Sequence, residues 1–179
     1  MQHGPCAPSI AGMDALEGWS EFNVAMVGAT AALAGLVIVA ASVNISDIVA
    51  SRTLTTRLGS AIVTLVVALA VSALGLVPAI DALWYGILVL VLAVIALAFQ
   101  LVAARRLAED PDPRDSARVL KALLGFLPVT AFVLAGVLTF VTQPVALAPA
   151  ALASAAVGVV LAIASAITVS WVALVEVLR

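Results

Sequence analysis

The sequence predicts an all-α fold: an integral membrane bundle of five transmembrane helices, N-terminus outside and C-terminus cytoplasmic. Three observations carry that reading: an excess of apolar residues, five long apolar runs, and basic residues confined to one side. Hydrophobic residues make up 65% of the 179-residue chain and charged residues only 10%, whereas soluble domains run near ~45–50% and ~25%. A soluble chain of this length has no polar exterior with which to hide so much apolar surface. The composition therefore excludes a cytosolic enzyme, a disordered tail, a disulfide scaffold and a nucleic-acid binder. A net charge of −2 points to neither nucleic acid nor an anionic surface as a partner.

Residues 1–18 read as an extracytoplasmic tail and residues 19–179 as the transmembrane domain. The tail holds His3 and the chain's single cysteine, Cys6, which excludes an internal disulfide or a CxxC pair. Met13 is a second candidate start beside Met1. Run one covers 19–45, run two 58–77, run three 82–104, run four 119–141 and run five 145–175. Each meets the roughly 20 apolar residues a membrane helix needs. None shows the alternation of a barrel strand, and helices satisfy their own backbone groups in lipid.

The connections follow from turn chemistry. Pro78 ends run two, and Pro144 lies between runs four and five, so both pairs form tight hairpins. Runs two and four each begin beside basic residues and end at a proline, which fits two parallel hairpins after an extra first helix. The stretch 46–57 mixes apolar and polar residues, as a short helix lying along the interface would. In the polar stretch 107–118, Asp112 is placed to cap a helix that has Pro113 at its first position. Trp19, Trp84, Tyr85 and Trp171 sit near run ends and read as interface anchors.

Orientation comes from the eight basic residues. Arg52 and Arg57 lie before run two. Arg105, Arg106, Arg114, Arg118 and Lys121 lie between runs three and four, and Arg179 ends the chain. Five spans put all of them on one side, the cytoplasmic side by the positive-inside rule. The expected location is the bacterial inner (plasma) membrane, multi-pass.

Chemistry-bearing motifs are absent. No P-loop, GxSxG, HExxH or paired-histidine arrangement occurs, so no catalytic residue, cofactor or metal site is assigned. The polar candidates are Glu21, Asn23, Asn44, Gln100 and Glu176, all near run ends. Amides there tie neighbouring helices together more often than they bind substrate. The positive signal is small residues at four-residue spacing: Gly28, Ala32 and Gly35 with Ala31 on run one; Ser60, Thr64, Ala68 and Ser72 on run two; Ser154, Gly158, Ala162, Ala166 and Ser170 on run five. Small side chains let helix backbones approach in lipid. The stripes of runs two and five are expected to face each other, with Val159 turned towards lipid. The last two turns of run five are expected to cover the 46–57 loop or a partner.

Run one reads Trp19-Ser-Glu-Phe22-Asn23, then Gly28-Ala-Thr-Ala-Ala-Leu-Ala-Gly35-Leu, and ends Ser42-Val-Asn44. This resembles small actinobacterial multi-span membrane proteins, often uncharacterised or labelled modulators of the membrane protease FtsH. The resemblance spans about 27 residues and carries no catalytic residue. It implies modulation of a membrane protease or a larger membrane complex. The expected function is thus a non-enzymatic accessory, adaptor or assembly subunit. Its partners are the lipid bilayer and either a membrane protein or a second copy in a homo-oligomer. The alternative is a small channel or transporter, which requires a polar path at mid-membrane. A membrane enzyme would need a nucleophile–base or metal set.

Overall fold

The computed structural model describes residues 17–50, 52–78, 80–109, 118–141 and 149–177. Among them the regular elements are all helices: α1 (Ser20–Val43), α2 (Ile45–Ala50), α3 (Arg52–Leu74), α4 (Ala82–Glu109), α5 (Arg118–Val141) and α6 (Pro149–Val177). All but the short α2 are long and apolar enough to cross a membrane. Helices α3, α4, α5 and α6 close a ring in which α3 meets α6, and α1 leans on the outside of α3.

The main core lies inside that ring. It joins Val67, Ala68 and Val71 of α3 to Val89, Ala93 and Ala96 of α4, Val129 and Phe132 of α5, and Val159 and Ala162 of α6. On α4 the buried positions Val89, Ala93, Ala96, Gln100 and Ala103 step alternately by four and three. That 3.5-residue period keeps one seam facing a neighbour in left-handed packing. A second cluster joins Ala34 and Val37 of α1, Ile48 of α2, Leu58 and Leu65 of α3, and Ala166 of α6. The outer surface carries large apolar side chains such as Leu36, Val94, Phe99, Leu134 and Ile167, as a lipid-facing surface requires.

Element boundaries differ from the sequence expectation in places that have physical causes. Run two was expected to start at 58 and end at 77. Helix α3 starts at Arg52 and stops at Leu74. Beyond it the backbone switches to three-residue bonds, Leu76 N–H to Ala73 O at 3.0 Å and Val77 N–H to Leu74 O at 3.2 Å. Pro78 disfavours the helical conformation at Val77, so the chain tightens before the proline rather than at it. Run three continues through Arg105 and Arg106 to Glu109, because long basic side chains tolerate a helix that leaves the apolar layer. Run one breaks at Asn44, whose Nδ2 donates to Ala40 O at 3.2 Å, and the chain re-enters a helix at Ile45.

The 46–57 stretch is therefore two helical pieces, α2 and the first turns of α3. Thr55 Oγ1 donates to Ile48 O at 2.6 Å, and Ile48 is buried, so α2 is pinned to α3. Residues 142–148, where run five was expected to begin, lie outside the described residues, as do Asp112 and Pro113. Helix α6 opens with Pro149 at its first turn, where a missing N–H costs nothing. It remains helical through Val177, slightly past 175, where run five was expected to end. The side chains of those last turns, Glu176 included, also lie outside the described residues, and so does the contact expected of them.

Candidate functional site

The small-residue stripes do not share one fate. Ser60, Thr64, Ala68 and Ser72 are all buried, because α3 packs against α1, α4 and α6 at once. On α6, Gly158, Ala162 and Ala166 are buried, but Ser154 and Ser170 at the stripe's ends are half-buried. Four-residue steps drift about 40° each around a helix of 3.6 residues per turn, so a long stripe swings off its seam. The stripe was expected to face run two; α6 does pack on α3, but Gly158 and Ser154 meet α5 instead. A Cβ on Gly158 would stand 2.8 Å from the ring of Phe132 on α5, and Ser154 Oγ donates to Ala131 O of α5 at 2.9 Å. Val159, expected to face lipid, is 2% exposed because the seam follows the 3.5-residue period.

The stripe on α1 faces outward. Gly28, Ala31, Ala32 and Gly35 are exposed, and no atom lies within 4 Å of a Cβ built on Gly28 or Gly35. The face that α1 buries carries Thr30, Ala34 and Val37. Its hydroxyl is satisfied locally, Thr30 Oγ1 donating to Met26 O at 2.6 Å, so burial there leaves no orphaned donor.

Polar groups gather at the two ends of the bundle. At one end Arg57 and Ser60 of α3, Gln100 of α4, Gly125 and Phe126 of α5, and Ser165 of α6 line a pocket of about 30 Å³. Gln100 is 6% exposed, and its Nε2 donates to Thr64 Oγ1 at 3.5 Å. Its amide lies where a side chain at 125 would stand, 2.8 Å from a Cβ built on Gly125. At the other end Asn23, Ser72 and Tyr85 line a pocket of about 10 Å³ with Trp19 and Phe22. The two rings meet edge to face, centroids 5.7 Å apart. Ser72 Oγ is buried there without a hydrogen-bond partner, in a space that suits about one water. Tyr85, expected as an interface anchor, is 4% exposed and belongs to this pocket, whereas Trp84 and Trp171 stand exposed.

Between the two pockets Ala68, Ala93, Ala96, Phe132 and Ala162 supply an apolar core. Of the remaining polar candidates, Glu21 is exposed, Asn23 is half-buried, and Asn44 serves its own helix end. Asn23 packs over Gly75, whose added Cβ would meet Asn23 Nδ2 at 2.5 Å. Sequence spacing did not single out the glycines that bring α4 and α5 together. A Cβ on Gly86 would meet Thr139 at 2.7 Å, and one on Gly136 would meet Leu90 at 3.1 Å. On α5 Gly125 and Gly136 stand eleven residues apart, and Gly86 stands alone on α4, so no run of small residues marks them.

This fold defines a multi-pass membrane protein: five helices long and apolar enough to cross a bilayer, four of them ringed around an apolar core. No protein-family model, curated protein or solved structure matches the chain. Among the described residues no group of three or more His, Cys, Asp or Glu is placed to hold a metal ion.

Proposed function

We infer that this chain is a non-enzymatic accessory or adaptor subunit of a bacterial inner-membrane complex, joined to its partner through α1. The observation that carries this is the open small-residue face of α1, Gly28 to Gly35, on a helix held to the bundle by its opposite side. Glycine is a poor residue to spend on lipid contact, and its use is close approach of a second backbone. The occupant is a transmembrane helix of another membrane protein, consistent with the resemblance of run one to proteins labelled modulators of a membrane protease. The basic end faces the cytoplasm in this reading. A channel or transporter is less well supported, because among the described residues an apolar layer around Phe132 lies between the end pockets.

The test places a photo-crosslinking residue at Ala32 in native membranes and compares Gly28→Leu and Gly35→Leu. Adducts to a different membrane protein, lost in both leucine variants while bundle stability is kept, support the reading. Adducts to a second copy assign homo-oligomerisation instead. Adducts to lipid alone overturn it.

A further inference from the structure

The Arg57 pocket has the chemistry of an anion site. Arg57 is half-buried at its wall. Ser60, Gln100 and Ser165 add neutral polar groups, and no carboxylate lines the pocket among the described residues. A half-buried guanidinium beside hydroxyl and amide groups, with no carboxylate beside it in the pocket among the described residues, is suited to take up a counter-charge. The chain's net charge of −2 does not describe this end, where Arg105 and Arg106 also stand exposed. At about 30 Å³ the pocket admits about two oxygen-sized atoms. That suits the two non-bridging oxygens of a phosphodiester whose remainder stays at the mouth.

A second feature lies further along two of the four helices that line this pocket. An open apolar groove of about 390 Å³ runs between α4 and α5, lined by Leu97, Val129, Thr130, Val133, Leu134 and Val137. Thr130 turns its hydroxyl back to Leu127 O at 2.8 Å, leaving the groove apolar. Leu97 is one turn from Gln100, and Val129 is one turn from Gly125. The groove therefore lies about one helical turn from the pocket on both α4 and α5. From Phe126 to Val137 a helix rises about 16 Å, close to half of the ~30 Å hydrocarbon core.

We propose that the basic end of the bundle binds one anionic phospholipid, its phosphate at Arg57 and Gln100 in the four-helix pocket and one acyl chain in the Leu97–Val137 groove between α4 and α5. Basic pockets between helices at the cytoplasmic side are a recognised way of holding acidic head groups. Ser60 is spent on the Arg57 carbonyl, so Arg57 and the second N–H of Gln100, whose Nε2 also reaches Thr64, fix the phosphate while the groove sets the depth, and both parts of the lipid are read.

The test uses the purified full chain in neutral detergent with added phosphatidylglycerol, phosphatidylcholine or inorganic phosphate. Phosphatidylglycerol should raise the melting temperature more than phosphatidylcholine, and inorganic phosphate should not reproduce the shift. Arg57→Gln should weaken phosphatidylglycerol binding about fivefold, and more than Arg105→Gln does on the exposed surface. Equal shifts from both lipids, a full shift from inorganic phosphate, or an unchanged preference in Arg57→Gln would each overturn the proposal. Should Arg57→Gln not fold, the wild-type chain still decides. A phosphatidylglycerol carrying a photoreactive acyl chain should label 97 and 129–137, and labelling spread evenly over the bundle would sink the idea.

Discussion

Helices α1 and α3 have the same credentials in sequence and opposite places in the fold. Both are long enough to span, both carry small residues at four-residue spacing, and α1 is the more apolar of the two. Yet 17% of the best membrane window of α1 is buried, against 50% for α3. The difference lies in what the small residues are. The α3 stripe contains Ser60, Thr64 and Ser72; Ser60 and Thr64 donate to carbonyls of their own helix, and Thr64 also accepts from Gln100 of α4, a contact lipid does not offer. The α1 stripe is glycine and alanine alone, and its buried side is the one holding Thr30. Apolarity places a helix in the membrane but does not decide whether it sits at the centre of a bundle or on its flank.

The comparison breaks most sharply with matched leucines. Leu65 of α3 is 0% exposed and Leu36 of α1 is 67% exposed. Leu65→Ala should cost about 2–5 kcal/mol from the cavity it leaves, while Leu36→Ala stays within about 0.5 kcal/mol. Thermal melting in detergent reads both, and equal losses would mean that α1 is as central as α3.

Overpacking gives the next largest effect. Ala68→Leu on α3 and Gly158→Leu on α6 should each cost about 1–3 kcal/mol, the latter by driving into Phe132. The suitable lipid-facing controls on α6 are Val157 and Val160, which are exposed, and substitutions there should leave melting level. If Gly158→Leu melts like wild type, the α5–α6 contact is not close-packed.

Smaller effects sharpen the role of the hydroxyls. Thr64→Val removes the acceptor for Gln100 Nε2 and should cost about 0.6 kcal/mol, the average for polar contacts inside membrane bundles. Gly28→Leu should change intrinsic stability by less than about 0.5 kcal/mol, since no atom lies within 4 Å of its added Cβ. The smallest, Ser72→Ala, removes a hydroxyl without a partner and should be neutral or slightly stabilising. A clear loss on melting would mean that a water bridges Ser72 to the Asn23–Tyr85 end.

The sequence by itself determined the helical class, the five spans and the segregation of basic residues, because each follows from one residue's cost in hydrocarbon, added along the chain. The burial of Ser60, Thr64 and Ala68 was also legible, since α3 meets three neighbours and nearly any stripe on it is covered. The tertiary structure alone decided that Gly158 serves Phe132 rather than α3, that Val159 turns inward, and that Gly28 and Gly35 turn outward. It also joined Arg57 with Gln100, 43 positions apart in the numbering. Those are properties of pairs of helices. A stripe's partner depends on the 3.5-residue seam it meets and on the size of the side chain opposite, and neither is written on the helix that carries the stripe.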